Sequence, residues 1–183
     1  MRVTALRRCR PGLVAVLALV LTGCGRDAAA DPGRTSQWPA GAAGAVCQLI
    51  EYDTVAERLG VRFDTAGGAE KDGTATCALT RQGDEYPYLT LAMTPTEADE
   101  VIFVATIQPS GSTRLKGLGL IAYRLDVAAP SGGKAGPAVE LGWLSARARL
   151  MLMRYAFEPG ASRADVDALV PKLVGLAKQT EPG

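Results

Sequence analysis

Four cysteines are the most reactive side chains in this 183-residue chain, and their settings give them different fates. Cys24 follows Leu21-Thr22-Gly23 at the end of a short apolar run. A thiol preceded by small residues at that place resembles the acceptor of a bacterial lipobox. There the sulfur receives a diacylglycerol, and a peptidase then cuts just before the cysteine. Gly23 and Thr22 are small enough for such a peptidase cleft. Cys9 lies upstream of the cut and leaves with the leader. Cys47 and Cys77 remain as an even pair, and in an oxidising compartment such a pair closes as a disulfide. A metal site built on these two would need two further ligands, and a thioredoxin-type redox pair needs Cys-x-x-Cys spacing.

Other chemistry is excluded or weakly supported. The chain contains no histidine, which rules out a His-dependent triad and any His-ligated metal, and no asparagine, so it has no N-glycosylation site. Ser131-Gly132-Gly133-Lys134 has the look of a phosphate loop. A Walker A motif, however, needs glycine four residues before Gly-Lys and Ser or Thr after it, where this chain has Ala128 and Ala135. A flexible hairpin loop is the simpler reading. Arg114, Lys116, Arg147 and Arg149 are candidates for a basic patch, against the plainer reading of a solvated, charged edge. Glu97, Asp99 and Glu100 are explained by a helix N-terminus, whose dipole favours acids. Met151, Met153, Tyr155 and Phe157 are candidates for lining an apolar cavity, although period-two apolar residues are usually plain core. No catalytic, cofactor-binding or metal-ligating residue is assigned.

The elements that would carry these residues begin with the leader. Arg2, Arg7, Arg8 and Arg10 precede an unbroken Leu/Val/Ala run from Leu13 to Leu21, the positive and apolar regions of an export signal. A membrane-spanning helix needs about 20 apolar residues, and this run is about half that. Arg7-Arg8 is a twin-arginine pair, but Arg10 and Pro11 follow where such signals are apolar. Residues 1–23 therefore read as a lipoprotein signal peptide and 24–44 as a flexible tether rich in Ala, Gly, Asp and Pro. Residues 45–180 read as a single α+β domain. Removing the four leader arginines takes the formal charge from 20 bases and 19 acids to 16 and 19, or −3. That balance does not suit nucleic acid.

Within the domain, Val55, Ala56 and Leu59 mark a short first helix, capped by Glu51 or Asp53 and stopped by Gly60. Val61 and Phe63 predict a strand. Asp72-Gly73 is a turn, followed by a strand at 76–80 and another from Tyr86 to Met93. Thr94, Pro95 and Glu97 predict the start of a second helix through a capping box, with Ala98, Val101, Ile102 and Ala105 as its apolar stripe. Strands follow at 119–127, 139–144 and 147–157. Apolar residues on both sides of the last one predict a central position. Ser162 and Asp165 cap a final helix whose stripe is Val166, Leu169, Val170, Leu173 and Ala177, with Pro171 expected to kink or split it. The expected fold is α+β, a mainly antiparallel sheet of about five to six strands with three helices, in the order helix, strands, helix, strands, helix.

The combination of Cys47-x-Leu49-Ile50, Leu59-Gly60, Cys77, and Gly117-Leu118-Gly119 before Ala122-Tyr123, closed by an amphipathic helix, resembles the actinobacterial lipoproteins of the domain-of-unknown-function 3558 family. The resemblance covers residues 45–180. It departs from the family at Leu79, commonly Trp, and at Leu120, commonly Asp. It implies a disulfide-bridged α+β surface domain and supplies no catalytic residues. The surplus of arginine over lysine and the abundance of Ala and Gly also suit a GC-rich, actinobacterial genome.

The expected protein is therefore a non-enzymatic binding or accessory module of the cell envelope. Acyl chains on Cys24 would hold it at the extracytoplasmic face of the cell membrane, since more than one chain is needed for stable anchoring. Its expected partner is an envelope protein or lipid, with no nucleic acid and no cofactor. The alternative is a carrier of lipid or a small apolar ligand, with a cavity near the Met151–Phe157 strand.

Overall fold

Alternating apolar and small polar side chains build the body of the molecule. The computed structural model describes residues 38–181 and shows one seven-stranded sheet. Its strands are β1 (Thr65–Lys71), β2 (Thr74–Thr80), β3 (Tyr88–Pro95), β4 (Thr113–Leu115), β5 (Ile121–Val127), β6 (Ala138–Ser145) and β7 (Arg149–Ala156). Three helices accompany them: α1 (Tyr52–Leu59), α2 (Glu100–Ile102), which runs into a π-helical turn over Phe103–Ile107, and α3 (Arg163–Gln179). The spatial order is β1-β2-β3-β7-β6-β5-β4, and each neighbouring pair is antiparallel. The chain lays down β1 to β3, crosses through α2 to the far edge, and returns as a second meander. Its last strand, β7, closes against β3 at the centre of the sheet.

The antiparallel α+β plan agrees with expectation, but the strand count and order do not. Seven strands are present rather than five to six, and the second group has four. The added one, β4, has only three residues, too few for any sequence period to show. The first strand is displaced. It spans Thr65–Lys71 instead of Val61 and Phe63, and its Ala-Gly-Gly-Ala centre carries no β-forming side chains.

The second helix is the larger correction. Thr94 and Pro95 do not open it; they belong to β3, which pairs with β7 through Thr94↔Leu150 and Pro95↔Arg149. Asp99 caps α2 instead, its Oδ1 accepting from the Ile102 N–H at 2.8 Å. The turn that follows widens to π geometry, and its inward residue is Phe103. The expected stripe residues Val101 and Ile102 stay exposed, Val101 at 75%.

Gly60 ends α1 in the left-handed conformation, where glycine carries no Cβ penalty. The Ser162–Asp165 capping box opens α3 with both reciprocal bonds in place. Pro171 lies inside α3 without splitting it.

The sheet has two unequal faces. On one, Cys77, Leu79, Leu89, Leu91, Leu141, Trp143, Met151 and Met153 pack beneath α1 and α3, which contribute Val55, Leu59, Val166, Leu173 and Leu176. Burying a Leu, Val or Met side chain stabilises the fold by about 1.5–3 kcal/mol, so this layer carries most of the stability. On the other face a smaller cluster gathers Phe103, Ile121, Tyr123 and Leu144, with Leu150 and Leu152 half-buried beside them. β7 thus has both faces at least partly covered, as its sequence predicts.

A single-turn 3₁₀ helix, Ala40–Ala43, precedes α1, and Ala40 is fully buried in the main core. Packing therefore begins within the stretch read as tether. Glu51 explains why. Instead of capping α1 with its side chain, it accepts from the Ala40 and Gly41 N–H groups at 3.0 and 2.9 Å.

Candidate functional site

Cys24, like Cys9 and the whole leader, lies outside the described residues. The other cysteine expectation falls within them. Cys47, on a short 3₁₀ turn, and Cys77, facing the core from β2, form a disulfide with Cα atoms 5.0 Å apart. Both cysteines are fully buried, so the bond ties the segment before α1 to the sheet and offers no exposed sulfur for exchange.

The candidate basic residues do not form one cluster. Arg114 on β4 faces Glu100 at 3.9 Å. Arg147 and Arg149 flank the β6–β7 turn, two strands away from β4, and line a shallow recess of about 560 Å³ with Glu97, Pro95 and Thr96. Ser131 to Lys134 fall in the β5–β6 hairpin loop. The three acids separate in role: Asp99 caps α2, Glu100 faces Arg114, and Glu97 lines the recess. Among the described residues, no group of three or more acid or cysteine side chains is gathered that could hold a metal ion. No helix among them is long and apolar enough to cross a membrane.

Met151 and Met153 are fully buried and pack in the main core rather than lining a cavity. Their strand does reach a recess at its far end. Tyr155 and Phe157, edge-to-face at 4.8 Å, line a space of about 380 Å³ with Val61, Pro87 and Pro159. The Arg81–Glu158 pair, at 3.0 Å, stands in the same wall. Burial pushes the Tyr155 phenol up to about 12.

Two polar assemblies escape a reading of the sequence. Arg124 on β5 donates to both carboxylate oxygens of Asp126, at 2.6 and 2.8 Å, and to Asp167 of α3 at 3.0 Å. Arg163 completes a ring, at 3.1 Å from Asp167 and 3.0 Å from Asp126. Bonds from Arg163 and then Arg124 hold the Asp167 carboxyl below the usual carboxylate range. Two arginines against two aspartates leave no net charge, so the ring works as a clamp between β5 and α3. The sequence signal that could have found part of it is the spacing of Arg163 and Asp167, four residues apart on a helix. Beside it, Val127, Ala128, Pro137, Ala138 and Val166 line a largely apolar recess of about 320 Å³.

The second assembly lies on the less covered face. Tyr123 donates to Glu140 at 3.0 Å, and Arg154 approaches Glu140 at 3.7 Å. Gly142 makes room for the Tyr123 ring; a Cβ there would overlap it.

The Gly117-Leu118-Gly119 motif serves the fold. Leu118 is buried in the main core, and Gly119, at φ +54°, presses against the Leu144 carbonyl and the Trp143 ring. The Leu120 N–H then donates to that carbonyl at 2.8 Å, setting the start of β5.

These recesses offer contact surface and hydrogen-bonding groups at their rims, the ingredients of a binding surface. No family model, no curated protein and no solved structure matches this chain.

Proposed function

We propose that this chain is an exported lipoprotein of the cell envelope, held at the extracytoplasmic face of the membrane by acyl chains on Cys24. Its folded part is a non-enzymatic binding or accessory module for an envelope protein or lipid. The observation that carries the reading is the buried Cys47–Cys77 disulfide. Such bonds persist in oxidising compartments, and the arginine-rich, apolar leader ending in Leu21-Thr22-Gly23-Cys24 is the signal that would take the chain to one. The resemblance to the domain-of-unknown-function 3558 lipoproteins rests on the short motifs quoted above and supports the same placement.

The test is fractionation of cells expressing the full chain or its Cys24→Ala variant. The wild type is expected in the membrane pellet with a fatty-acid increment in its mass. The variant should be released or keep its leader, without that increment. Acylated material from the Cys24→Ala variant would sink the proposal. The carrier reading takes second place, because Met151 and Met153 fill the core and the recess at Tyr155 and Phe157 suits only a small ligand.

A further inference from the structure

We propose that β1 is a pairing edge at which two copies of this chain join, antiparallel and two-fold, about Gly68. β1 is one border of the sheet, and along its seven residues only Ala66 is half-buried. The Ala43–Gly44 backbone lies against one face of the strand at Gly68 and leaves its other face and its edge open among the described residues. Among the described residues, no backbone hydrogen bond joins β1 to any element other than β2. Its outer N–H and C=O groups are therefore a template for another strand, the hazard that proteins usually blunt with proline, bulges or central charges. β1 has none of these. Its charges, Glu70 and Lys71, stand at one end, and its centre is Ala-Gly-Gly-Ala. The opposite border, β4, is only three residues long, and its Arg114 faces Glu100.

The sequence of β1 is complementary to itself. A two-fold axis normal to the sheet must set one residue opposite its own copy. Only Gly68 at that position lets all seven residues pair. Gly67 then faces Ala69, Ala66 faces Glu70, and Thr65 faces Lys71, with no like charges opposed along the strand. Asp64 and Asp72 meet only beyond the strand ends, where both are exposed and water screens them.

A second observation marks the same edge. Trp38 is 82% exposed and shares an open recess of about 600 Å³ with Asp64, Thr65 and Ala66 at the start of β1. In the paired arrangement Lys71 of the second copy arrives opposite Thr65. Its ammonium then comes toward the Trp38 ring and the Asp64 carboxylate, which already accepts from the Thr65 hydroxyl and the Gln82 N–H, for a cation–π contact that is not formed among the described residues of one copy.

The experiment uses the full chain purified in detergent, with its mass measured by light scattering, beside two double variants. Gly67→Lys with Ala69→Lys, and Gly67→Glu with Ala69→Glu, each set like charges directly opposite at two places in the pair. Both positions tolerate a side chain, since a Cβ at Gly67 meets nothing within 4 Å and Ala69 is exposed. The wild type is expected as a dimer, each variant alone as a monomer, and an equimolar mixture of the two variants as a dimer again. Trp143 is fully buried, so tryptophan emission that shifts to the blue as the wild type associates reports Trp38. A monomeric wild type, a variant that still dimerises alone, or a mixture that stays monomeric would each overturn the proposal.

Discussion

Tyr123 and Tyr155 hold their protons for the same main reason, loss of water around the phenol. For Tyr123, burial comes first and the Glu140 carboxylate that accepts its hydrogen bond adds to it, so its pKa lies above the ordinary value of 10.0. Tyr155 rises to about 12, chiefly through burial. In the unfolded chain both phenols ionise near pH 10. Their contribution to stability is therefore complete below pH 10 and is lost as pH rises through 10 to 12 and beyond. Phenolate absorbance of the folded chain is expected to lag that of the urea-unfolded chain, and Tyr123→Phe should shrink the lag. An unchanged lag in that variant would remove Tyr123 from this account. Neither phenol stands out in the sequence as unusual, because the period-two pattern of β5 and β7 marks them as core without showing what their hydroxyls meet. The Cys47–Cys77 pairing was legible, since two cysteines without Cys-x-x-Cys spacing, in a chain with no histidine, have few other fates.

At the scale of elements, local signals succeeded where nothing competed with them. The Ser162–Asp165 capping box opens α3 as its spacing predicts, and Gly60 stops α1. Thr94-Pro95-x-Glu97 carries an equally good start signal, yet the chain there is strand. Eight successive pairings of β3 with β7, ending at Pro95↔Arg149, outweigh one helix cap worth about 1 kcal/mol. The helix starts five residues late, is short, and turns Phe103 inward in place of the expected stripe. β4 was invisible for a related reason: three residues become a strand only because β5 pairs with them. Gly119 shows the reverse case, a local residue type required by a tertiary contact. Gly119→Ala would place a Cβ against the Leu144 carbonyl at a positive φ, and is expected to destabilise the domain by about 1–3 kcal/mol. Chemical denaturation would read this as a lowered midpoint with an unchanged slope; an unaltered midpoint would show that the β5 start has slack.

For the whole molecule, the disulfide closes a loop containing all of α1, all of β1 and the first half of β2, with its two ends 30 residues apart. In the chain-entropy model, losing it costs about 3–4 kcal/mol. The Cys47→Ser, Cys77→Ser double variant is expected to unfold at markedly lower denaturant than the wild type, and reductant should change the wild type alone. Equal midpoints would mean that the packing of α1 and α3 on the sheet holds this segment without the bond. The sequence by itself determined the cysteine pairing, the antiparallel α+β plan and the central place of β7, because each depends on composition or on periods within one segment. Only the tertiary structure decided the seventh strand, the late and exposed second helix, the Arg124–Asp126–Asp167–Arg163 ring and the open border at β1. Each of these arises from partners far apart in the chain, and no local pattern records which strand or side chain will lie alongside.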